Sequence, residues 1–224
     1  KSDSPDDELN VILKGNEGGH YGFPYQHTIG LGNWFHRDIN NVSYYNDVAW
    51  YSMKPNNIEL ILPKQAMGPH TAVLGIKFYN RNELIANNCK KGIKTNLFPE
   101  KYNNIAFIAK HGSWAGGYSI VSGYKVVAMN ISIPNNDIID YRDFIIGFAE
   151  EKSCNSPCDS NAWSRPAFIE ILPDGSMLIS DDLNDYVFRI EYTGSDAQDY
   201  DCPTIDESIP PTEAPTDIPS KTPT

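Results

Sequence analysis

Apolar and polar positions alternate along most of the chain, in short runs separated by Gly, Pro and Asn. The clearest runs are NIELIL (57–62), AVLGIKFY (72–79), NIAFIAK (104–110), YKVVAMNIS (124–132), AFIEIL (167–172), SMLISD (176–181) and YVFRIEY (186–192). All are rich in β-branched and aromatic residues, which suit a pleated, half-buried surface, and turn formers bound them. Helical periodicity is weak everywhere; its best candidate is a short turn near 141–148. The stretch AFIEILPDGSMLISDDLNDYVFRIEY reads as three strands joined by two tight turns. Pro173-Asp174-Gly175 makes the first turn, because proline presets φ and glycine accepts a positive φ; Leu183-Asn184-Asp185 makes the second. Three or four antiparallel strands about every 40–45 residues predict the blades of a β-propeller. An ordinary β-sandwich is the other reading of the same pattern.

The alternation ends near Thr193. The closing stretch PTIDESIPPTEAPTDIPSKTPT is dominated by Pro and Thr and has no aromatic residue. It offers too little apolar surface to offset the entropy of ordering it. The expected division is therefore an all-β domain over 1–192 and a disordered, O-glycosylatable stalk or linker over 193–224.

Composition narrows the partners. The chain carries 29 Asp and Glu against 18 Lys and Arg, a formal charge of −11. That balance, with no basic cluster, argues against a nucleic-acid partner. No apolar run is long enough for a transmembrane helix. The polar start KSDSPDDELN shows no signal peptide and reads as a piece of a longer protein. Cys154 and Cys158 share the loop SCNSPCDS, where a local disulfide is expected, whereas Cys89 and Cys202 either pair or stay free. A zinc site lacks a second closely spaced Cys/His pair. Sequons stand at Asn41-Val-Ser43 and Asn130-Ile-Ser132. Cysteines, sequons and tail together point to an extracellular protein.

Candidate chemistry clusters in a few places. IAFIAKHGSW runs as an apolar strand and then stops on His111 and Trp114, with only Gly112 and Ser113 between them. A histidine can donate to a carboxylate or carbonyl, an indole presents a flat face and one N–H, and the small residues let a ring approach the backbone. Trp163-Ser164-Arg165-Pro166 adds an arginine, whose planar fork binds carboxylates bidentately. His70 follows Pro69 just before a strand. Asp181-Asp182 could act as paired carboxylates, but their place in a hairpin favours turn capping. A glycosidase would need two carboxylates about 5–10 Å apart, which a sequence alone does not show.

Three segments carry a resemblance when taken in order: DDELNVILKGNEGGHYGFP (6–24), KHGSWAGGYSIVSGYKVV (110–127) and WSRPAFIEILPDGSMLISDDLNDYVFRIEY (163–192). Together they resemble the C-terminal half of the glucose/sorbosone dehydrogenase family, which includes soluble aldose sugar and pyranose dehydrogenases. The resemblance spans about Asp6 to Tyr192. It implies a partial six-bladed β-propeller of about three four-stranded blades, with pyrroloquinoline quinone (PQQ) and calcium as cofactors. It places His111, Trp114, Trp163 and Arg165 against the quinone and His70 at the substrate. It assigns calcium to the carboxylate of Glu8 and the backbone carbonyl of Tyr21, a hard-oxygen pair suited to that ion.

The chain also departs from the family. Phe23 replaces a tryptophan, the loop KGNEGGH is longer, and Ala115-Gly116 replaces the Asn-Arg that follows HGSW. The family's base histidine and its early cofactor arginines have no counterpart here. The expectation is a fragment of a secreted, quinone-dependent sugar dehydrogenase with a sugar substrate and an external electron acceptor, inactive by itself. The alternative is an extracellular propeller that binds or adheres without catalysis.

Overall fold

The computed structural model describes residues 6–30, 42–46, 53–93, 95–113, 122–132, 136–149, 162–197 and 200–202. Within them the chain forms eleven strands in four antiparallel sheets. β5 (Val73–Tyr79), β6 (Ile105–Lys110), β7 (Lys125–Ile131) and β8 (Ile138–Ile145) form a four-stranded meander in that order. β9 (Pro166–Ile171), β10 (Met177–Asp181) and β11 (Tyr186–Ile190) form a three-stranded one. β1 (Asp6–Leu9) pairs with β4 (Gln65–Pro69), and β2 (Gln26–Gly30) pairs with β3 (Val42–Asn46).

The middle sheet is covered on both faces, as the unbroken apolar run of β6 requires. Ile105, Phe107 and Ala109 point to one side, where they meet Ile169, Met177 and Ile179 of the β9–β11 sheet. Ala106 and Ile108 point to the other, where Met67 of β4 and Leu9 of β1 pack. Sheets thus follow one another face to face, and their first strands converge. A Cβ on Gly75 of β5 would lie 2.8 Å from the Ala167 carbonyl oxygen and 2.9 Å from the Phe168 Cα of β9. Meanders stacked in chain order, with first strands in close approach, make the architecture all-β and propeller-like, an open arc rather than a closed ring.

Several local expectations change. NIELIL does not form a strand; only an isolated bridge joins Leu60 to His20. The turn expected near 141–148 is largely strand β8, whose half-buried outer position needs little apolar alternation. The helix lies instead at α1 (Arg81–Lys90), where Asn80 caps the N-terminus by accepting from the Glu83 N–H while Glu83 accepts from the Asn80 side chain. The Asn80 oxygen satisfies one free N–H of the first turn, and the side-chain contact with Glu83 holds that amide in place.

Described residues beyond 192 also make contacts with earlier parts of the chain. Ala197 and Tyr200 are buried, the Leu97 N–H donates to the Ala197 carbonyl at 3.0 Å, and the Thr95 N–H donates to the Tyr200 hydroxyl at 3.0 Å. A disulfide joins Cys89 in α1 to Cys202. Ala197, Tyr200 and Cys202 therefore pack with the domain. Trp114, Asn41, Cys154 and Cys158 lie outside the described residues. The Asn130 sequon falls within β7, flanked by Ile105 of β6 and Asp140 of β8, rather than in the surface loop a glycan acceptor favours.

Candidate functional site

The antiparallel registers bring the ends of several strands to one end of the stacked sheets. The β4–β5 turn (69–72) and the segment after β6 (111–113) are laced together through their backbones. The His111 N–H donates to the Ala72 carbonyl at 3.0 Å and the Gly112 N–H to the Thr71 carbonyl at 2.8 Å. The Ser122 hydroxyl donates to the Pro69 carbonyl at 2.6 Å, and the Tyr124 hydroxyl donates to the Ser113 carbonyl. Asp7 of β1 secures the turn from outside by accepting from the Thr71 hydroxyl and the Ala72 N–H, each at 2.8 Å. His70 sits inside this turn with φ +54°.

Gly112 is demanded by this packing. Its φ is +101°, and a Cβ there would lie 2.6 Å from three carbons of the Tyr124 ring. The space that two small residues seemed to leave for a cofactor ring is thus filled at Gly112 by the protein's own Tyr124.

Arg165 reaches the same spot from the start of β9. Its Nη2 donates to the Gly112 carbonyl at 2.7 Å, and its guanidinium lies 5.6 Å from the centre of the Tyr124 ring. Its Nε is buried without an acceptor, and no carboxylate pairs with the guanidinium among the described residues. The Arg165 N–H, the Leu183 N–H at 3.0 Å and the Asn184 side chain all bond to the carboxylate of Asp181. Burial alone would raise the Asp181 titration; these donors more than offset it and hold the carboxyl below its ordinary range.

Asp182, the next residue, does something different. Both its oxygens face His111 Nε2, at 2.7 and 2.9 Å. Of the two aspartates read as turn caps, only Asp181 caps the turn. Asp182 pairs with a histidine 71 positions away.

Lys110 precedes His111 and points to the opposite face of the sheet. It is buried at 6% exposure, with its ammonium donating to the Tyr141 hydroxyl at 2.6 Å. Burial first, then the neighbouring Lys125, pull its titration down to about 7, against opposition from Asp143, Asp7 and Asp6. Nothing in the sequence marks this residue beyond its place in an apolar strand.

The remaining candidates lie elsewhere. Trp163 packs on Phe148 and Phe188, and its indole N–H already donates to the Gly147 carbonyl, so it has no donor left for a ligand. Glu8 stands opposite Ala66 in the β1–β4 ladder, beside a bulge. Tyr21 lies in the loop after the His20 bridge, with a buried hydroxyl. Among the described residues no group of three or more His, Cys, Asp or Glu side chains gathers as a metal site. The site residues brought together are therefore His70, His111 and Arg165, joined by Asp182, read from the sequence as a turn cap, and by the unforeseen Asp7 and Tyr124.

Comparison with known proteins bears on the fold. The chain matches no protein-family model. An uncharacterized protein of Borreliella burgdorferi is 31% identical over 188 residues, which is 84% of this chain and 39% of that protein. Among solved structures, the holo PQQ domain of pyranose dehydrogenase from Coprinopsis cinerea superposes with a TM-score of 0.52 at 17% identity, over 85% of this chain and 45% of that one. A calcium structure of a Trichoderma reesei enzyme of carbohydrate-active family AA12 gives 0.50 at 18% identity, over 84% and 43%. The chain spans less than half the length of each. The fold is thus related to that of the PQQ domain of a sugar oxidoreductase, and it is the fold alone that these identities show.

Proposed function

We propose that this chain supplies part of the quinone site of an extracellular, PQQ-dependent sugar oxidoreductase, as a portion of a longer propeller. One observation carries the reading: the Arg165 guanidinium is held by Gly112 and Tyr124 next to His111, with a buried Nε–H that has no acceptor and no carboxylate partner among the described residues. An unmatched arginine fork in a partly buried site calls for an anionic ligand, and a quinone bearing three carboxylates meets that need. When bound, PQQ supplies the electron-accepting chemistry of sugar oxidation. The protein's own part is to anchor a carboxylate at Arg165, to hold His111 beside it, and to present His70 from the adjoining turn. The Cys89–Cys202 disulfide supports an oxidising compartment.

Calcium fits less well. It takes about six to eight oxygens, whereas Glu8 and the Tyr21 carbonyl offer two and no acidic cluster joins them among the described residues. No step is derived through that ion.

The test is a titration of the full-length protein with PQQ, with calcium present and then chelated, followed by tryptophan quenching. Saturable binding is expected, weakened about 10- to 100-fold in Arg165→Ala, as loss of a charge-assisted hydrogen bond implies. A folded protein that shows no saturable quenching, or equal affinity in Arg165→Ala, would overturn the reading and leave the non-catalytic binding module in its place.

A further inference from the structure

The loops over 20–26 and 54–62 lie side by side. The Leu60–His20 bridge joins them, and the Ile61 N–H donates to the His20 carbonyl at 2.8 Å. Residues of both loops line a cleft of about 580 Å³, a volume within the range of small-molecule sites. This cleft stands apart from His111 and Arg165. Leu62 at its edge comes just before the Gln65 end of β4, whereas the Pro69 end of β4 enters the candidate site. The strand between them is roughly 13 Å long.

The lining narrows the ligand. Three amide side chains, Gln26, Asn56 and Asn57, share the cleft with Lys54 and Glu59. The Lys54 ammonium is turned onto the Ile58 carbonyl at 2.6 Å, and the Glu59 charge opposes it, so an anion finds no net attraction. One carboxylate is too few for a hard cation. A wholly apolar ligand would cover the amides without pairing them, which costs free energy. A neutral ligand dense in hydroxyls suits the set, because each amide offers both a donor and an acceptor. Among the described residues no hydrogen bond or ion pair engages the side chains of Asn56, Asn57 and Glu59. Apolar groups adjoin the amides. Leu62 lines the cleft, Met53 precedes Lys54, and both are exposed. Phe23 is 88% exposed and belongs to the turn in which the Gln26 N–H donates to the Gly22 carbonyl at 3.0 Å. A sugar ring carries hydroxyls at its edge and C–H groups on its face, and this mixture of amides and apolar groups matches both.

We propose that the cleft binds a neutral oligosaccharide, with its hydroxyls on the amides of Gln26, Asn56 and Asn57 and an apolar ring face against Leu62 and Phe23. The site uses none of the residues assigned to the quinone and goes beyond that reading.

The test is isothermal titration of the full-length protein with cellotriose, maltotriose and triacetylchitotriose, which are neutral, and with trigalacturonate, which is anionic. Saturable binding is expected for at least one neutral sugar, with trigalacturonate at least about tenfold weaker because Glu59 lines the same cleft. The double variant Asn56→Ala, Asn57→Ala should weaken the binding about 10- to 30-fold, as loss of two hydrogen-bonding amides implies. Both residues are exposed, so the variant is expected to fold. The pair Asn56→Asp, Asn57→Asp keeps the side-chain shape and should weaken binding as well, since a carboxylate cannot donate. Co-sedimentation with cellulose, starch or chitin separates a polymer ligand from a free oligosaccharide.

No saturable heat with any neutral sugar, undiminished affinity in both double variants, or tighter binding of trigalacturonate would overturn the inference. A protein that binds a neutral trisaccharide through Asn56 and Asn57 but does not bind PQQ would leave it standing and sink the quinone reading instead.

Discussion

Replacing Lys110 by methionine removes a buried ammonium and keeps most of its unbranched stem. In the folded protein Lys110 gives up its proton near pH 7, against 10.5 for the free side chain. That difference corresponds to about 5 kcal/mol of destabilisation when the group is charged in the native state. The sign follows from proton counting. Between about pH 7 and 10.5 the unfolded chain holds the proton and the folded chain does not, so wild-type stability rises with pH through this window. Below about 7 the full burden is present.

The variant also loses the hydrogen bond to Tyr141, worth about 1 kcal/mol. Lys110→Met should therefore be more stable than wild type by roughly 2–4 kcal/mol at pH 6, once imperfect packing is allowed for. The gain should shrink towards zero or reverse near pH 10. Urea denaturation of both proteins at pH 6, 8 and 9.5 reads this directly. A difference that does not vary with pH, or a variant less stable than wild type at pH 6, would refute the argument.

Two further outcomes follow from packing and covalent constraint. Gly112→Ala should cost about 2–4 kcal/mol, combining backbone strain at φ +101° with a Cβ driven into the Tyr124 ring; Gly92→Ala, at φ +65° with open space around it, should cost about 1 kcal/mol in the same denaturation assay. Reducing the Cys89–Cys202 bond, which spans 113 positions, should lower stability by about 4–5 kcal/mol, measured by denaturant melts with and without reductant.

The strands that fall on apolar runs were the legible ones. β5, β6, β7, β9, β10 and β11 all coincide with such runs, because each presents at least one face to a core, and one-sided burial leaves alternation while two-sided burial leaves a continuous run. β8 was not legible: Asp140, Arg142 and Asp143 interrupt it, as suits the outermost strand of its sheet. β4 was hidden by Gly68 and Pro69, residues that usually argue against a strand. α1 shows little amphipathicity, since the disulfide, the Asn80 cap and the burial of Arg81 and Asn88 hold it in place. The Asn-x-x-Glu capping signal was present in the sequence and marks its start.

The candidate site was legible only in its letters. His70, His111 and Arg165 could be named as chemically suited residues, and the backbone lacing of 70–72 to 111–112 brings their segments together. Asp181 and Asp182 show why the rest was not. They are the same residue type, adjacent, in the same turn, yet one satisfies the turn's N–H groups and the other crosses to a different sheet.

By itself the sequence determined the all-β class, the positions of the tight turns and the two-sided burial of β6. These depend on neighbours two to four residues apart, and local spacing encodes them. Tertiary structure alone decided that Cys89 meets Cys202, that His111 Nε2 meets the Asp182 carboxylate, that no carboxylate pairs with the Arg165 guanidinium among the described residues, and that Lys110 titrates near neutrality. Each of those outcomes depends on which distant groups the strand registers and sheet stacking bring within a few ångströms, and on how much water they exclude.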